Sequence, residues 1–347
     1  MMGEGWKHLY GVIGTTENIA LDSQGQGGPI YPVAYKELSA LVSDVPFVDY
    51  RGLAKDLVLR HLLDHQRVIE GVMHSHSIIP FKFGSFAYTE KEVKQILTQG
   101  YSFFKSLLPW VGERVELELV ATWDKGKILK TLYEEESEIQ SLQKNIGTKS
   151  EEDAFLEKIK LGKLVRQCLL KKKILSREQM ISQLKECAES YCDHDVMDDV
   201  MILNTAFLLR KEMEKEFDRK VQHLDHAFLG KVSFKVIGPL PLYSFKCIEA
   251  EWVGASEIRE ALALLDLSEN ASPADVRSAY YQKAKSIHPD KMGYLLNPSS
   301  EFERVSEAYN ILRRYYNQYR SFPIENRILL MEVRTNGRND SLKKECE

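Results

Sequence analysis

The chain has 347 residues, 44% of them hydrophobic, so it is long enough for two or three packed domains, each with its own core. Its 47 lysines and arginines against 51 aspartates and glutamates leave a formal charge of −4, which argues against general binding to nucleic acid or membrane lipid. The odd count of five cysteines excludes a complete disulfide framework, and the absence of a signal-peptide-like or membrane-spanning apolar stretch indicates a cytoplasmic protein.

The first 124 residues carry strand and helix patterns in a mixed order. Apolar runs with strand-forming residues predict extended segments at 9–14, 30–34, 38–45, 78–85 and 115–123. Apolar residues at three-to-four spacing over 53–76 predict an amphipathic helix. A capping box at Thr89 to Glu92 predicts a second helix that ends near Leu108. We therefore assign residues 6–124 to a compact α+β domain.

The glycine-rich stretch 23–29 has two interpretations. As a phosphate-binding loop it would need a Lys-Ser/Thr ending and a helix directly after it. It has neither and leads into a strand-like run, so the pattern favours a hairpin loop.

A second α+β domain with a helical insertion is predicted over residues 125–250. Acidic and basic clusters between Tyr133 and Cys192, with regular leucine and isoleucine spacing, indicate solvated helices. The basic triplet Lys171–Lys173 is either a partner contact or ordinary solvent-exposed charge. The apolar run 200–209 predicts a buried strand, the charged segment 211–228 a helix, and 232–237 a half-buried strand.

The segment Gly238-Pro239-Leu240-Pro241-Leu242-Tyr243-Ser244-Phe245 closes this domain. Its two prolines exclude a regular central strand. Its apolar residues are candidates either for a partner contact or for the core; these candidates are Leu240, Leu242, Tyr243 and Phe245.

Four pieces of the first 250 residues, in order and spacing, resemble the gas vesicle protein L/F family. They are Leu9-Tyr10-Gly11-Val12-Ile13, the helix segment 65–73, Ile79-Pro80-Phe81-Lys82-Phe83-Gly84, and the segment 238–245. The resemblance covers about residues 6–250. It implies two α+β domains, the first ferredoxin-like, and a role in assembling the gas vesicle shell. It also implies shell and accessory proteins as partners, with the four apolar residues of 238–245 as shell-protein contacts.

The C-terminal part predicts a small three-helix domain over 256–320, followed by a tail over 321–347. A short helix is expected from Glu257 to Leu265. The second begins after the N-cap Ser272 with proline at its first position, and it stops before Pro289. A third helix is expected from about Ser300 to Tyr319, packing back on the second. Within the tail, 335–340 has the composition of a mobile end.

The stretch Glu257–Tyr319 resembles a J domain, above all in His288-Pro289-Asp290. In that family the tripeptide and the basic face of the second helix dock on a DnaK-type ATPase. The resemblance therefore implies a chaperone contact by His288, Pro289, Asp290, Arg277, Lys285 and Lys291. The chain departs from the family at Ser278, Tyr281, Gln282 and Ser286, positions that are commonly basic. With nine basic and nine acidic residues over 257–320, electrostatic steering toward an acidic partner is weak.

Three groups of histidines and cysteines are candidate metal ligands. His61 and His65 lie one helical turn apart, with His74 and His76 after them, but His65 falls on the apolar stripe and no ligand set is completed nearby. A core histidine is the favoured interpretation. The trio Cys187, Cys192 and His194 has loose spacing for zinc, and the pair His223 and His226 lies among helical charges.

No nucleophile elbow, phosphate-binding loop or dinucleotide fingerprint occurs in the sequence, so we predict a protein that is not an enzyme and needs no cofactor. The leading hypothesis is a gas vesicle assembly protein whose J-like domain recruits a DnaK-type chaperone. The first alternative is a general J-domain co-chaperone with an unrelated client-binding front half. A metal-dependent hydrolase using the histidine helix is the more distant alternative.

Overall fold

The structure, a computed structural model, describes residues 5–17, 28–50, 52–146, 151–287, 298–319 and 327–334. The chain divides into two compact units. Unit 1 combines Met1–Pro109 with Lys246–Arg334, and unit 2 is built on Trp110–Phe245.

Unit 1 begins with an antiparallel sheet. Its strands are β1 (Trp6–Ile13), β2 (Tyr31–Tyr35), β3 (Leu38–Val45), β4 (Ile78–Pro80) and β5 (Phe86–Ala87). The order is β2-β3-β1-β4, and β5 pairs with the other end of β1. The first three strands lie where the apolar runs predicted them. β1 is central, which is why seven of its eight residues are buried.

Two helices accompany this sheet, α1 (Lys55–Met73) and α2 (Glu90–Gly112). Of the apolar stripe predicted for α1, His65, Ile69 and Val72 are buried, and so is the adjacent Val68. At the start of α2, Thr89 Oγ1 accepts a hydrogen bond from the Glu92 amide at 3.2 Å. The Glu92 carboxylate in turn accepts one from the Tyr88 amide at 2.6 Å, so side chains satisfy the first exposed amides of the helix.

Unit 2 is built on a second antiparallel sheet in the order β7-β8-β6-β9. Its strands are β6 (Arg114–Trp123), β7 (Ser190–Asp193), β8 (Met201–Arg210) and β9 (Val232–Leu240). The strand predicted at 115–123 therefore exists, but it does not belong with the first sheet. It pairs with β8 and β9 and buries Leu117 and Leu119 in the core of unit 2. The structure thus divides the chain at 109/110, whereas the sequence analysis placed the boundary after residue 124.

The helical insertion between β6 and β7 comprises α3 (Lys125–Glu135), α4 (Ser137–Ile146) and α5 (Glu151–Leu184). A short 3₁₀ turn and α6 (Glu214–Ala227) connect β8 to β9. Phe217 of α6 packs on Phe207 of β8, with ring centroids 5.2 Å apart. The second α+β domain with a helical insertion is therefore the architecture of unit 2.

The rest of unit 1 is a three-helix module closed by a strand pair. It consists of β10 (Cys247–Gly254), α7 (Ala255–Leu264), α8 (Pro273–Ile287), α9 (Pro298–Gln318) and β11 (Arg327–Arg334). β10 and β11 pair over their full length, from Cys247 opposite Arg334 to Gly254 opposite Arg327. The three predicted helices are present, but part of the predicted tail is β11.

The strand pair also joins the three-helix module to the first sheet. The Lys82 amide donates to the Ile248 carbonyl at 2.9 Å, and Phe81 forms a parallel bridge with Ile248. Ile328 and Leu330 of β11 are buried with Val253 among the helices. The three-helix module is therefore part of unit 1.

Within the described residues, no helix is long and apolar enough to cross a membrane.

Candidate functional site

The most specific sequence motif lies at the end of α8. His288, Pro289, Asp290 and Lys291 are outside the described residues. The helix that leads to them is well defined at its start, where Ser272 Oγ accepts from the Asp275 amide at 3.2 Å. The Asp275 carboxylate accepts from the Ser272 hydroxyl at 2.7 Å and from its amide at 2.8 Å, and these two hydrogen bonds hold the pKa of Asp275 below its usual range. Sequence and structure agree on where this helix begins.

The solvent side of α8 carries the predicted cations. Arg277, Tyr281 and Lys285 are exposed and are spaced four residues apart, so they form one stripe. The Arg277 guanidinium lies 5.8 Å from the Tyr281 ring centroid. The opposite side of α8 packs on α9 through Tyr280 and Tyr309, whose stacked rings are 4.2 Å apart. The stripe is thus a surface of two cations and one aromatic ring on a helix whose other side is anchored.

The segment 238–245 does not present its apolar residues as a surface. Leu242 and Phe245 are 1% and 2% exposed, while Leu240 and Tyr243 are half-buried. Pro239 lies near the end of β9, and Pro241 follows it in the connection that leads to β10. Leu242 and Phe245 are therefore core residues and are removed from the set of candidate shell-protein contacts.

The polar residue of this segment, Ser244, anchors the turn to β6. The carboxyl of Glu116 accepts hydrogen bonds from the Ser244 amide at 2.8 Å and from its hydroxyl at 2.7 Å. Ser244 Oγ also lies 3.1 Å from His194 Nε2, and His194 Nδ1 lies 3.5 Å from Glu118. Burial raises the pKa of Glu116 to about 8, against the opposing effect of the two Ser244 hydrogen bonds. Burial thus favours the protonated form of Glu116 in the folded protein.

Gly238 permits the close approach that this anchor needs. Its φ of +134° lies in a region that side chains disfavour. A Cβ there would lie 2.8 Å from the carbonyl oxygen of Glu116. The segment's glycine, prolines and serine therefore have a structural explanation in unit 2.

A cleft between α5 and the β7–β8 connection exposes apolar side chains of unit 2. Leu170, Ile174 and Val196 line it and are 58%, 50% and 49% exposed. The cavity has a volume of about 360 Å³, and Ile202 also contributes to its lining. Arg177 and Asp193 close one side with an ion pair of 2.6 Å. We call this surface the α5 cleft.

Sequence reasoning missed the α5 cleft. It treated the helical insertion as solvated, although Leu170 and Ile174 have the four-residue spacing of neighbours on one helix face. Of the basic triplet, Lys172 pairs with Glu135 of α3, and Lys173 lines the cleft. Val196 comes from a separate loop, so its place beside α5 has no local sequence signal.

His65 and Cys187, two of the candidate metal ligands, form hydrogen bonds within the protein. His65 is buried, with one ring nitrogen 2.9 Å from His8 Nε2 and the other 3.1 Å from the Phe81 carbonyl. Burial lowers the pKa of His65 to about 4 and that of His8 to about 3. The buried Cys187 donates to the Leu184 carbonyl rather than meeting His194. In the described ranges, no group of three His, Cys, Asp or Glu side chains is placed to hold a metal.

Comparison with known proteins gives one family match to the first 246 residues and another to the C-terminal three-helix module. The sequence profile of the family described as gas vesicle synthesis protein GvpL/GvpF matches residues 7–246. The profile of the DnaJ domain matches residues 261–318. Gas vesicle protein F of Dolichospermum flosaquae is 25% identical over 247 residues, which covers 70% of this chain and 98% of that protein.

The C-terminal match is to a domain rather than to a whole protein. The mitochondrial DnaJ homolog l(2)tid of Drosophila melanogaster is 38% identical over 66 residues, which covers 18% of this chain and 13% of that protein.

Among solved structures, the crystal structure of GvpF from Anabaena sp. PCC7120 aligns with a TM-score of 0.57 at 23% identity. The alignment covers 69% of this chain and 97% of the GvpF chain, which shows that the two share a fold.

Proposed function

This chain belongs to the gas vesicle synthesis protein GvpL/GvpF family and carries a DnaJ domain, and we propose that it is a non-catalytic assembly factor for gas vesicles. In this proposal unit 2 holds gas vesicle shell or accessory proteins before they assemble, and the DnaJ domain recruits a DnaK-type chaperone to the same task. The observation that carries the proposal is the presence of both matches in one chain. A general co-chaperone with an unrelated front half does not account for a family match over residues 7–246.

A gas vesicle wall must present an apolar face to its gas-filled lumen, so its subunits are prone to aggregate before they polymerise. A protein that holds them needs an exposed apolar surface of its own. The α5 cleft has this character, because Leu170, Ile174 and Val196 expose about half of their surface beside one another. It replaces the segment 238–245 as our proposed contact surface for shell proteins.

For the chaperone, the proposed contact is the exposed stripe of α8 together with the His288-Pro289-Asp290 motif and Lys291. Arg277 and Lys285 supply positive charge, and Tyr281 supplies an aromatic ring between them. Two cations give a weaker electrostatic attraction than a fully basic helix face would, so we expect modest affinity for the ATPase.

We also propose that the first sheet is ferredoxin-like. Its antiparallel order β4-β1-β3-β2 and the position of α1 between β3 and β4 support this assignment. We place the protein in the cytoplasm, in association with gas vesicles. That none of the four cysteines in the described residues forms a disulfide is consistent with such a reducing compartment.

The test of the shell-protein contact is a solubility assay with the principal gas vesicle shell protein. The full chain should keep the shell protein in the supernatant after dilution from denaturant. Leu170→Ser combined with Ile174→Ser should weaken the complex by about tenfold or more, because both apolar contacts are lost. Leu229→Ser is the matched control, since Leu229 is also exposed and lies on the turn after α6.

If the chain does not keep the shell protein soluble, the proposed holding role is wrong. If it does and both variants behave alike, the α5 cleft is not the contact surface.

A second assay addresses the chaperone. A purified DnaK-type ATPase should hydrolyse ATP faster when the full chain is added. His288→Gln should abolish the stimulation, and Arg277→Ala with Lys285→Ala should reduce it. Stimulation that survives unchanged in all variants would mean that this domain does not act through its familiar motif and helix face.

A further inference from the structure

The middle of helix α5 carries a dense run of positive charge. Over residues 158–177 the chain has eight lysines and arginines and no aspartate or glutamate, although the formal charge of the whole chain is −4. Three of the eight cations form ion pairs, with Glu157, Glu135 and Asp193. The others form no ion pair within the part of the chain that the structure describes. This stretch therefore has positive charge that the described part of the chain does not neutralise.

Three of the unpaired cations lie on the same side of α5 as its exposed apolar side chains. Successive residues of an α-helix are about 100° apart around the helix axis, which places both groups within one arc of about 100°. The cations are Lys163, Arg166 and Lys173, and the apolar residues are Phe155, Leu156, Ile159, Leu170 and Ile174. The five apolar side chains are between 42% and 63% exposed. We call this surface the basic face of α5.

Along the helix, the basic face changes from apolar to cationic and back to apolar. Residues 155–159 supply the first apolar group, 163–166 supply two cations, and 170–174 supply the second apolar group with a third cation. At a rise of 1.5 Å per residue, this face is about 30 Å long. Its length and its alternation match those of a second helix laid along α5.

The second apolar group opens into the α5 cleft, whose shape favours a protein partner. A cavity of about 360 Å³ accepts apolar side chains, whereas a flat lipid surface does not fill it. Arg177 and Asp193 pair with each other at one side of the cleft. Lys173 also lines it and has no carboxylate partner among the described residues. The cleft therefore suits an apolar side chain that has a carboxylate beside it.

The tail of this chain does not have the composition that the basic face needs. Residues 335–347 contain one leucine as their only large apolar residue, and they have three cations against three carboxylates. Such a segment cannot supply two apolar groups and a surplus of negative charge. The complementary segment therefore belongs to another protein.

From these features we propose that the basic face of α5 binds an amphipathic helix of a partner protein that carries carboxylates beside its apolar stripe. The apolar stripe packs on residues 155–159 and 170–174, and the carboxylates pair with Lys163, Arg166 and Lys173. This binding rests on the proposed function and deepens it, because it specifies which segment of a shell or accessory protein unit 2 takes. The charges select acidic helices over neutral or basic ones.

The test uses the full chain and two peptides that differ only in charge. The probe is a fluorescein-labelled peptide of four Glu-Leu-Leu-Glu repeats, and its control has glutamine in place of every glutamate. Fluorescence anisotropy measures the binding of each. We expect saturable binding of the acidic peptide, about tenfold tighter than that of the neutral peptide. This preference should shrink as salt is added, because salt screens exposed ion pairs.

Charge variants of α5 identify the site. Lys163→Gln, Arg166→Gln and Lys173→Gln combined should weaken the acidic peptide by about fivefold to tenfold, because they remove its carboxylate partners. The same triple variant should bind the neutral peptide within about twofold of the wild type, since the apolar contacts remain.

The matched control removes three charges from other elements of unit 2. It uses exposed lysines of α3, α6 and β9 that form no ion pair in the described ranges. The combined changes are Lys125→Gln, Lys215→Gln and Lys235→Gln. Because the net charge falls equally in both triple variants, the control should leave binding of the acidic peptide within about twofold of the wild type.

Equal binding of the two peptides, or equal effects of the two triple variants, would overturn the proposal. An acidic peptide that does not bind would also overturn it. Vesicles of phosphatidylcholine and phosphatidylglycerol provide the lipid arm. Binding to these vesicles as tight as that of the peptide, and lost in the α5 triple variant, would show a membrane surface instead of a protein-helix site.

The solubility assay with the shell protein separates this proposal from the proposed function. If the wild type and the α5 triple variant keep the shell protein soluble equally well, the holding role stands and the charge requirement is wrong. If the chain selects the acidic peptide but does not keep the shell protein soluble, the basic face stands as a helix site and the holding role is wrong.

Discussion

Replacing Glu116 with glutamine should change how the stability of unit 2 depends on pH. Burial raises the pKa of Glu116 from 4.5 to about 8 in the folded protein. The folded state therefore keeps a proton that the unfolded chain loses. The resulting stabilisation is fully present below about pH 4.5 and is lost as the pH rises through about 8.

The size of this effect follows from the two pKa values. At 1.36 kcal/mol per pKa unit, the Glu116 contribution falls by about 3.5 kcal/mol between pH 5 and pH 8. Glutamine has no proton to lose, and its amide can accept from the Ser244 N–H with its oxygen and donate to the Ser244 hydroxyl oxygen with its NH₂ group. Between pH 5 and pH 8, the free energy of unfolding of Glu116→Gln should therefore rise by about 3.5 kcal/mol relative to that of the wild type.

The assay is urea denaturation at pH 5, 6, 7 and 8, followed by tryptophan fluorescence. Subtracting the free energy of unfolding of the wild type from that of Glu116→Gln removes the contributions of the other titrating groups, because both proteins share them. Glu113→Gln, an exposed neighbour on the chain, is the control and should run parallel to the wild type. A difference between Glu116→Gln and the wild type that stays constant from pH 5 to 8 would refute the argument.

Three further predictions concern single side chains. The buried His65, with a pKa lowered to about 4, cannot take the proton that the unfolded chain binds below pH 6.5, so stability falls as the pH falls from 6.5 toward 4. His65→Gln should reduce the loss between pH 7 and pH 5 by about 2 kcal/mol in urea titrations, and an unchanged loss would contradict the assignment. Arg327→Gln should lower the free energy of unfolding by about 1–2 kcal/mol, because it removes the ion pair with Glu92 and the contacts with two tryptophan rings. Gly238→Ala should lower the melting temperature, through a loss of about 1–3 kcal/mol from backbone strain and the contact with the Glu116 carbonyl, and an unchanged melting temperature would contradict that reasoning.

Elements with a strong local pattern could be predicted from the sequence. The stripe of α1 and the capped start of α8 are examples, since periodicity and caps act within a few residues. What could not be predicted was pairing over long separations. The strand β6 was identified, but its partner β8 lies about ninety residues later, and no local signal links them.

The same limit explains β11 and the burial of Glu116. The apolar run within 327–334 has a strand pattern, whereas the sequence analysis assigns these residues to the tail. Its partner β10 is about eighty residues earlier. Glu116 alternates with apolar residues in the manner of a solvent-facing position, and only the turn around Ser244 buries it. Tertiary covering of this kind is invisible to sequence periodicity.

The central claim is that unit 2 holds gas vesicle proteins for assembly with the help of the DnaJ domain. The most direct measurement is the gas vesicle content of host cells, by buoyancy and electron microscopy, when this gene is replaced by defined variants. We predict normal vesicles with the wild type and with Leu229→Ser, and few or none with Leu170→Ser/Ile174→Ser at equal protein level. Normal vesicles in cells that carry the double variant, or that lack the protein altogether, would contradict the account.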